Sequence, residues 1–153
     1  MSITIVEERP DSADASQLIR EPDKNLATYP CPPESRHGFS IEKLLRENVA
    51  FFVVRYEGQA AGCIGFKLFG TEYGEAKRMY VRPAHRGLGL AKSMLSHGAE
   101  HARKRHVATL RLETGIYQTN AIALYEAFGF QRRPPFGEYK VDPNSVYYEK
   151  DIA

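Results

Sequence analysis

Residues 75–95 read EAKRMYVRPAHRGLGLAKSML, and the order of signals within them decides the fold. The run through Val81 has the composition of a strand. Gly87 and Gly89 follow at once, two residues apart, between Arg86 and Lys92. From Leu88 to about Arg105 the small and apolar positions Ala91, Met94, Leu95, Gly98, Ala99 and Ala102 recur every three or four residues, which predicts an amphipathic helix. A glycine-rich turn between strand and helix lets backbone approach a ligand without a Cβ in the way. Phosphate is the first candidate ligand, because a helix start presents unpaired N–H groups and the positive end of the helix dipole. Two common phosphate loops are excluded by spacing. A Walker A loop needs GxxxxGK before Ser or Thr, and a dinucleotide fingerprint needs a third glycine where Lys92 stands.

Working outward toward the N-terminus, residues 71–81 form the strand, with Glu75, Lys77, Met79 and Val81 expected on one face and Ala76, Arg78 and Tyr80 on the other. AFFVVRY and QAAGCIGFKLFG, joined through Glu57 and Gly58, predict a β-hairpin. SIEKLLREN predicts a helix, and the three prolines of NLATYPCPPESRHGFS predict a loop before it. DSADASQLI predicts a helix capped by Asp11 or Ser12, and residues 2–8 a first strand. Toward the C-terminus, VATLRLET is strand-like. TNAIALYEAF is a helix stopped by Gly129, and a hairpin of about 129–133 with 145–151 closes the chain. The order β, α, α, β, β, β, α, β, α, β, β predicts an α/β fold with a mixed central sheet and helices on both faces, not a doubly wound one. The length of 153 residues predicts a single domain, 1–153.

Composition narrows the function classes. The chain has 21 Lys+Arg against 19 Asp+Glu, a net charge of +2, which lacks the basic excess of a dedicated nucleic-acid binder. The basic run HARKRH, residues 101–106, suits a helix C-terminus, where cations meet the negative end of the dipole. No run approaches the roughly 20 apolar residues that span a bilayer, and MSITIVEERP does not have the pattern of a secretory leader, so a cytoplasmic protein without membrane contact is expected. Cys31 and Cys63 form neither a disulfide framework nor a CxxC site, and no metal is expected.

Two signatures give the chain a family resemblance. Arg86-Gly87-Leu88-Gly89-Leu90-Ala91 fits the pattern Arg/Gln-x-x-Gly-x-Gly/Ala and resembles the acetyl-CoA pyrophosphate loop of the GNAT N-acetyltransferases. LETGIYQTNAIALYEAFGF is similar to that family's second signature, and the element order matches over essentially the whole chain. PPESRHGFSIEKL and FGEYKVDPNSVYYEK resemble a small bacterial-type subgroup.

The resemblance implies acetyl-CoA as co-substrate and direct attack by a primary amine in a ternary complex. It implies that the backbone of Met79, Tyr80 and Val81 pairs with the pantetheine arm, that Arg86, Gly87, Leu88, Gly89, Leu90, Ala91 and Lys92 hold the pyrophosphate, and that Asn120 lies near the cofactor. The N–H of Met79 would meet the oxyanion. Tyr125 would protonate the leaving thiolate, although a tyrosine in an apolar stripe also suits a core. Glu75 would serve as base, with Glu72 or a water chain as rivals. Glu75 and Lys77 could instead form a solvated ion pair. Arg36, His37 and Tyr117, with Tyr139, would border the acceptor, a small-molecule or protein amine. A homodimer is a family-level expectation. The alternative function is a CoA-binding regulatory module without catalysis.

Overall fold

A computed structural model describes residues 2–26 and 40–153, and in it the run Phe51-Phe52-Val53-Val54 divides the core in two. Phe51 and Val53 pack with Cys63 against Ala15, Leu18, Ile19 and Leu44. Phe52 and Val54 face the other way, into a larger cluster with Ile64, Phe66, Leu90, Met94 and Leu95. All four are buried, so this strand lies inside a sheet covered on both faces.

The elements are β1 (Ile3–Glu7), α1 (Ala13–Leu26), α2 (Ile41–Arg46), β2 (Ala50–Tyr56), β3 (Gln59–Phe69), β4 (Tyr73–Val81), α3 (Leu90–Arg103), β5 (Thr109–Gly115), α4 (Thr119–Phe128), β6 (Gln131–Arg133) and β7 (Ser145–Asp151). They form one seven-stranded sheet in the order β1-β2-β3-β4-β5-β7-β6, with α1 and α2 on one face and α3 and α4 on the other. Every pairing is antiparallel except β4 with β5. The mixed sheet has the expected element order. Ser12 caps α1, its Oγ accepting from the Ala15 N–H at 3.1 Å. That helix runs past the expected end and carries Pro22 within it. Leu90 rather than Ala91 begins the buried stripe of α3.

Two departures from regular sheet position everything that follows. In β4, Lys77 pairs with Gly65 and Tyr80 with Cys63, so three steps on one strand meet two on the other. The extra residue is a β-bulge, and Arg78 takes φ 57° there. Beyond it the alternation is inverted. Tyr80 packs with the α1/α2 cluster, on the side of Glu75 and Lys77, whereas Met79 and Val81 pack with the α3/α4 cluster. The regular alternation expected from sequence therefore fails at this bulge. Second, β4 and β5 pair only at Gly74–Leu110 and Glu75–Arg111, then diverge.

Candidate functional site

The divergence leaves the last third of β4 without β5 beside it, and a cleft of about 540 Å³ opens there. Met79, Tyr80 and Val81 supply one wall. The turn after β4 and the first turn of α3 supply the second, through Arg86, Gly87, Gly89, Leu90, Ala91 and Lys92. Tyr117, Asn120 and Leu124, at and within α4, supply the third.

The second wall is shaped for an anion. Gly87 and Gly89 have φ 81° and 77°, and a Cβ at either would meet nothing within 4 Å, so their backbone faces open space. Gly89 is the N-cap of α3 and brings no side-chain cap, which leaves the first amides of the helix for a ligand. Leu88, at 37 % exposure, does not line the cleft. Arg82 does not line the cleft. Its guanidinium is tied to Glu21 of α1 at 2.8 Å and to the carbonyl of Ala60.

Tyr117 lines the same cleft as the turn and is 46 % exposed. Arg36 and His37 lie outside the described residues.

Two titratable side chains flank the divergence on opposite faces of the sheet. Tyr125 of α4 is buried, with its ring edge-on to Phe130 at 5.8 Å and its hydroxyl 4.0 Å from Met79 Sδ. Burial and the nearby charge of Glu113 push its pKa above the ordinary tyrosine value, so the hydroxyl keeps its proton at neutral pH.

Glu75 lies on the other face, 3 % exposed. Lys77 Nζ donates to its Oε2 at 2.9 Å, and the Tyr139 hydroxyl donates to the same oxygen at 2.5 Å. The ion pair with Lys77 does form, and it is buried where the alternative to a base role had it solvated. Lys77 is held below the usual lysine range by desolvation, against the pull of Glu75. Tyr139 is pushed well above the tyrosine range by burial and then by Glu75.

Sequence reasoning missed two residues near the site and the contact of a third. His85 lines the cleft, and its Nδ1 is buried with no hydrogen-bond partner among the described residues. Glu113 sits on β5 just past the divergence and accepts from Ser145 Oγ at 2.8 Å. Tyr139 was expected only as a wall residue, and its contact with Glu75 spans 64 positions. The adjacency of His85 to the glycine turn was a usable signal; no local pattern announces the other two. Glu72, the rival base, precedes β4 in an exposed turn. Among the described residues no cluster of three or more His, Cys, Asp or Glu could hold a metal, and no helix is long and apolar enough to cross a membrane.

A mixed sheet split between its fourth and fifth strands, with a glycine turn and an uncapped helix start at the split, defines an α/β class with an open cleft suited to an anionic ligand. The family model described as "Acetyltransferase (GNAT) family" matches residues 15–130. An IAA acetyltransferase of Azospirillum brasilense is 39 % identical over 153 residues, covering 99 % of both chains. A solved structure from Klebsiella pneumoniae subsp. pneumoniae MGH 78578, described as an acyl-CoA N-acyltransferase, superposes with TM-score 0.82 at 36 % identity, covering 99 % of this chain and 98 % of that one. The PaiA N-acetyltransferase of Thermoplasma acidophilum, solved in complex with coenzyme A, shares the fold with TM-score 0.78 at 22 % identity, covering 99 % of each chain. The chain belongs to the GNAT acetyltransferase family and is an acetyl-CoA-dependent N-acetyltransferase.

Proposed function

We propose that the chain transfers the acetyl group of acetyl-CoA directly to a primary amine at the split between β4 and β5. The observation that carries this is the placement of Glu75 and Tyr125 on opposite faces of the sheet beside that split; neither side chain lines the cleft itself, which opens from the split toward the α3 amides. In this arrangement Gly87, Gly89 and the α3 start receive the pyrophosphate. Met79 to Val81, paired with β3 on one side but without β5 on the other, line the arm, and Asn120 and Tyr117 line the wall opposite.

An alkylamine with a pKa near 10 is mostly protonated at neutral pH, so attack requires removal of a proton. The nitrogen lone pair forms a bond to the thioester carbon as its proton passes toward Glu75, and the carbon–sulfur bond then breaks. Tyr125 gives its hydroxyl proton to the departing sulfur. Burial raises its pKa and makes it a weaker acid, so the proton moves only as negative charge develops on the sulfur beside it. The N–H of Met79, at the bulge, is the donor for the oxyanion.

The test is release of the CoA thiol from acetyl-CoA across a panel of small-molecule amines and lysine- or N-terminus-bearing peptides. Amine-dependent release, together with the acetylated amine by mass spectrometry, supports direct transfer. Release at one rate whatever the amine, or acetyl found on the protein before the amine is added, overturns it.

A further inference from the structure

We propose that Tyr139 is a positioning residue for Glu75, so that the proton-accepting unit is the triangle of Glu75, Lys77 and Tyr139 and not a lone carboxylate, resting on the assignment of Glu75 as the base. A carboxylate with so little exposure needs donors to remain usable, and Glu75 draws them from two directions. Lys77 stands on its own strand and donates at 2.9 Å. Tyr139 arrives from the β6–β7 connection, donates to Oε2 at 2.5 Å, and in turn accepts from Lys77 Nζ at 3.2 Å. The three groups close a ring of hydrogen bonds.

The hydroxyl of Tyr139 is held in place from behind. Its ring packs against Phe136 at 5.2 Å and Tyr147 at 5.6 Å, and its amide donates to the Phe136 carbonyl at 3.1 Å. Tyr147 pins the same connection by donating to the Lys140 carbonyl at 2.9 Å. The charged neighbours have engagements of their own. Lys67 of β3 and Lys43 of α2 bind Glu47, Arg111 of β5 binds Glu149, and Glu113 accepts from Ser145. A network of this kind works as a unit, so deleting two members costs less than the sum of the single losses.

The test is a double-mutant cycle in kcat with Tyr139→Phe, Glu75→Gln and both together, with acetyl-CoA KM and melting temperature measured for each. Tyr139→Phe keeps the ring and removes the donor, and its kcat is expected to fall on the order of tenfold, as for one lost hydrogen bond to a charged group, with acetyl-CoA KM unchanged. In the Glu75→Gln background the same change is expected to cost less than about twofold. Since Glu75→Gln strips Lys77 of a buried counter-charge, the pair Glu75→Gln/Lys77→Met serves as a second background in which that charge is gone. An equal tenfold loss in those backgrounds, or wild-type kcat in Tyr139→Phe, overturns the role of Tyr139 while leaving Glu75 as base. Wild-type turnover in Glu75→Gln overturns both assignments.

Discussion

Tyr125 is a core position that is also proposed to react, and the two roles make different demands on one substitution. Its ring packs against Phe130 and Tyr148, and among the described residues its hydroxyl meets only the weak acceptor Met79 Sδ at 4.0 Å. Tyr125→Phe therefore keeps the packing, and the melting temperature and acetyl-CoA KM are expected to hold. kcat is expected to fall by about 10² to 10⁴, nearer the lower end because a CoA thiol leaves partly unaided. Wild-type kcat in a folded variant would remove the acid role. Sequence alone could not separate the two roles, since an apolar stripe at helical spacing fits both; burial in the core fits both as well, and the kcat of the folded variant separates them. Cys63 makes the converse case, a residue whose chemistry is suppressed by its place. It is fully buried, and burial pushes its thiol from 9.0 up to about 12. The folded value lies above the unfolded one, so this contribution to stability is complete below about pH 9 and declines as pH rises toward 12. The peptide containing Cys63 should resist an alkylating reagent at pH 8 until the protein unfolds; rapid labelling of native protein would contradict the burial.

Among the elements, β4 and α3 carry the site, and they were legible to different degrees. The helix announced itself by its apolar period and the glycines before it. The bulge in β4 did not, because Arg78 adopts φ 57° with neither glycine nor asparagine to mark it, and only pairing with β3 shows the extra residue. That single insertion moves Met79 and Val81 to the opposite face from Glu75, an assignment strict alternation gets wrong. Close packing of α3 on β3 depends in turn on Gly98. A Cβ there would lie 1.9 Å from the Phe66 ring, itself buried beneath the helix. Gly98→Ala gains up to about 1 kcal/mol in helix propensity, yet forcing a methyl into a filled core costs about 1 to 3 kcal/mol and obliges α3 to shift. The overlap is severe enough that the packing cost should win. The melting temperature is expected to fall by a few degrees, and a rise would show that Phe66 can turn aside.

For the whole molecule, the element order was readable because each element carries its own local signal, whereas the site is made by distant pairings. β7 inserts between β5 and β6, and the β6–β7 connection brings Tyr139 across to Glu75; neither fact resides in any short stretch. The cleft spans elements from β4 to α4, so ligand binding should be felt as global stability. A ligand bound only by the folded state adds RT ln(1 + [L]/Kd), about 2.7 kcal/mol at one hundred times Kd. For a chain of 153 residues that corresponds to a rise of roughly 5–10 °C in melting temperature. Gly89→Glu should abolish that rise. It puts a carboxylate where the pyrophosphate is proposed to sit, and φ 77° at this position is unfavourable for any side chain, so some loss in the ligand-free melting temperature is expected as well. The two effects separate cleanly, because strain lowers the starting temperature while loss of binding flattens its dependence on acetyl-CoA. A variant that melts lower but still climbs with acetyl-CoA as wild type does would show that the α3 turn is not where the pyrophosphate docks.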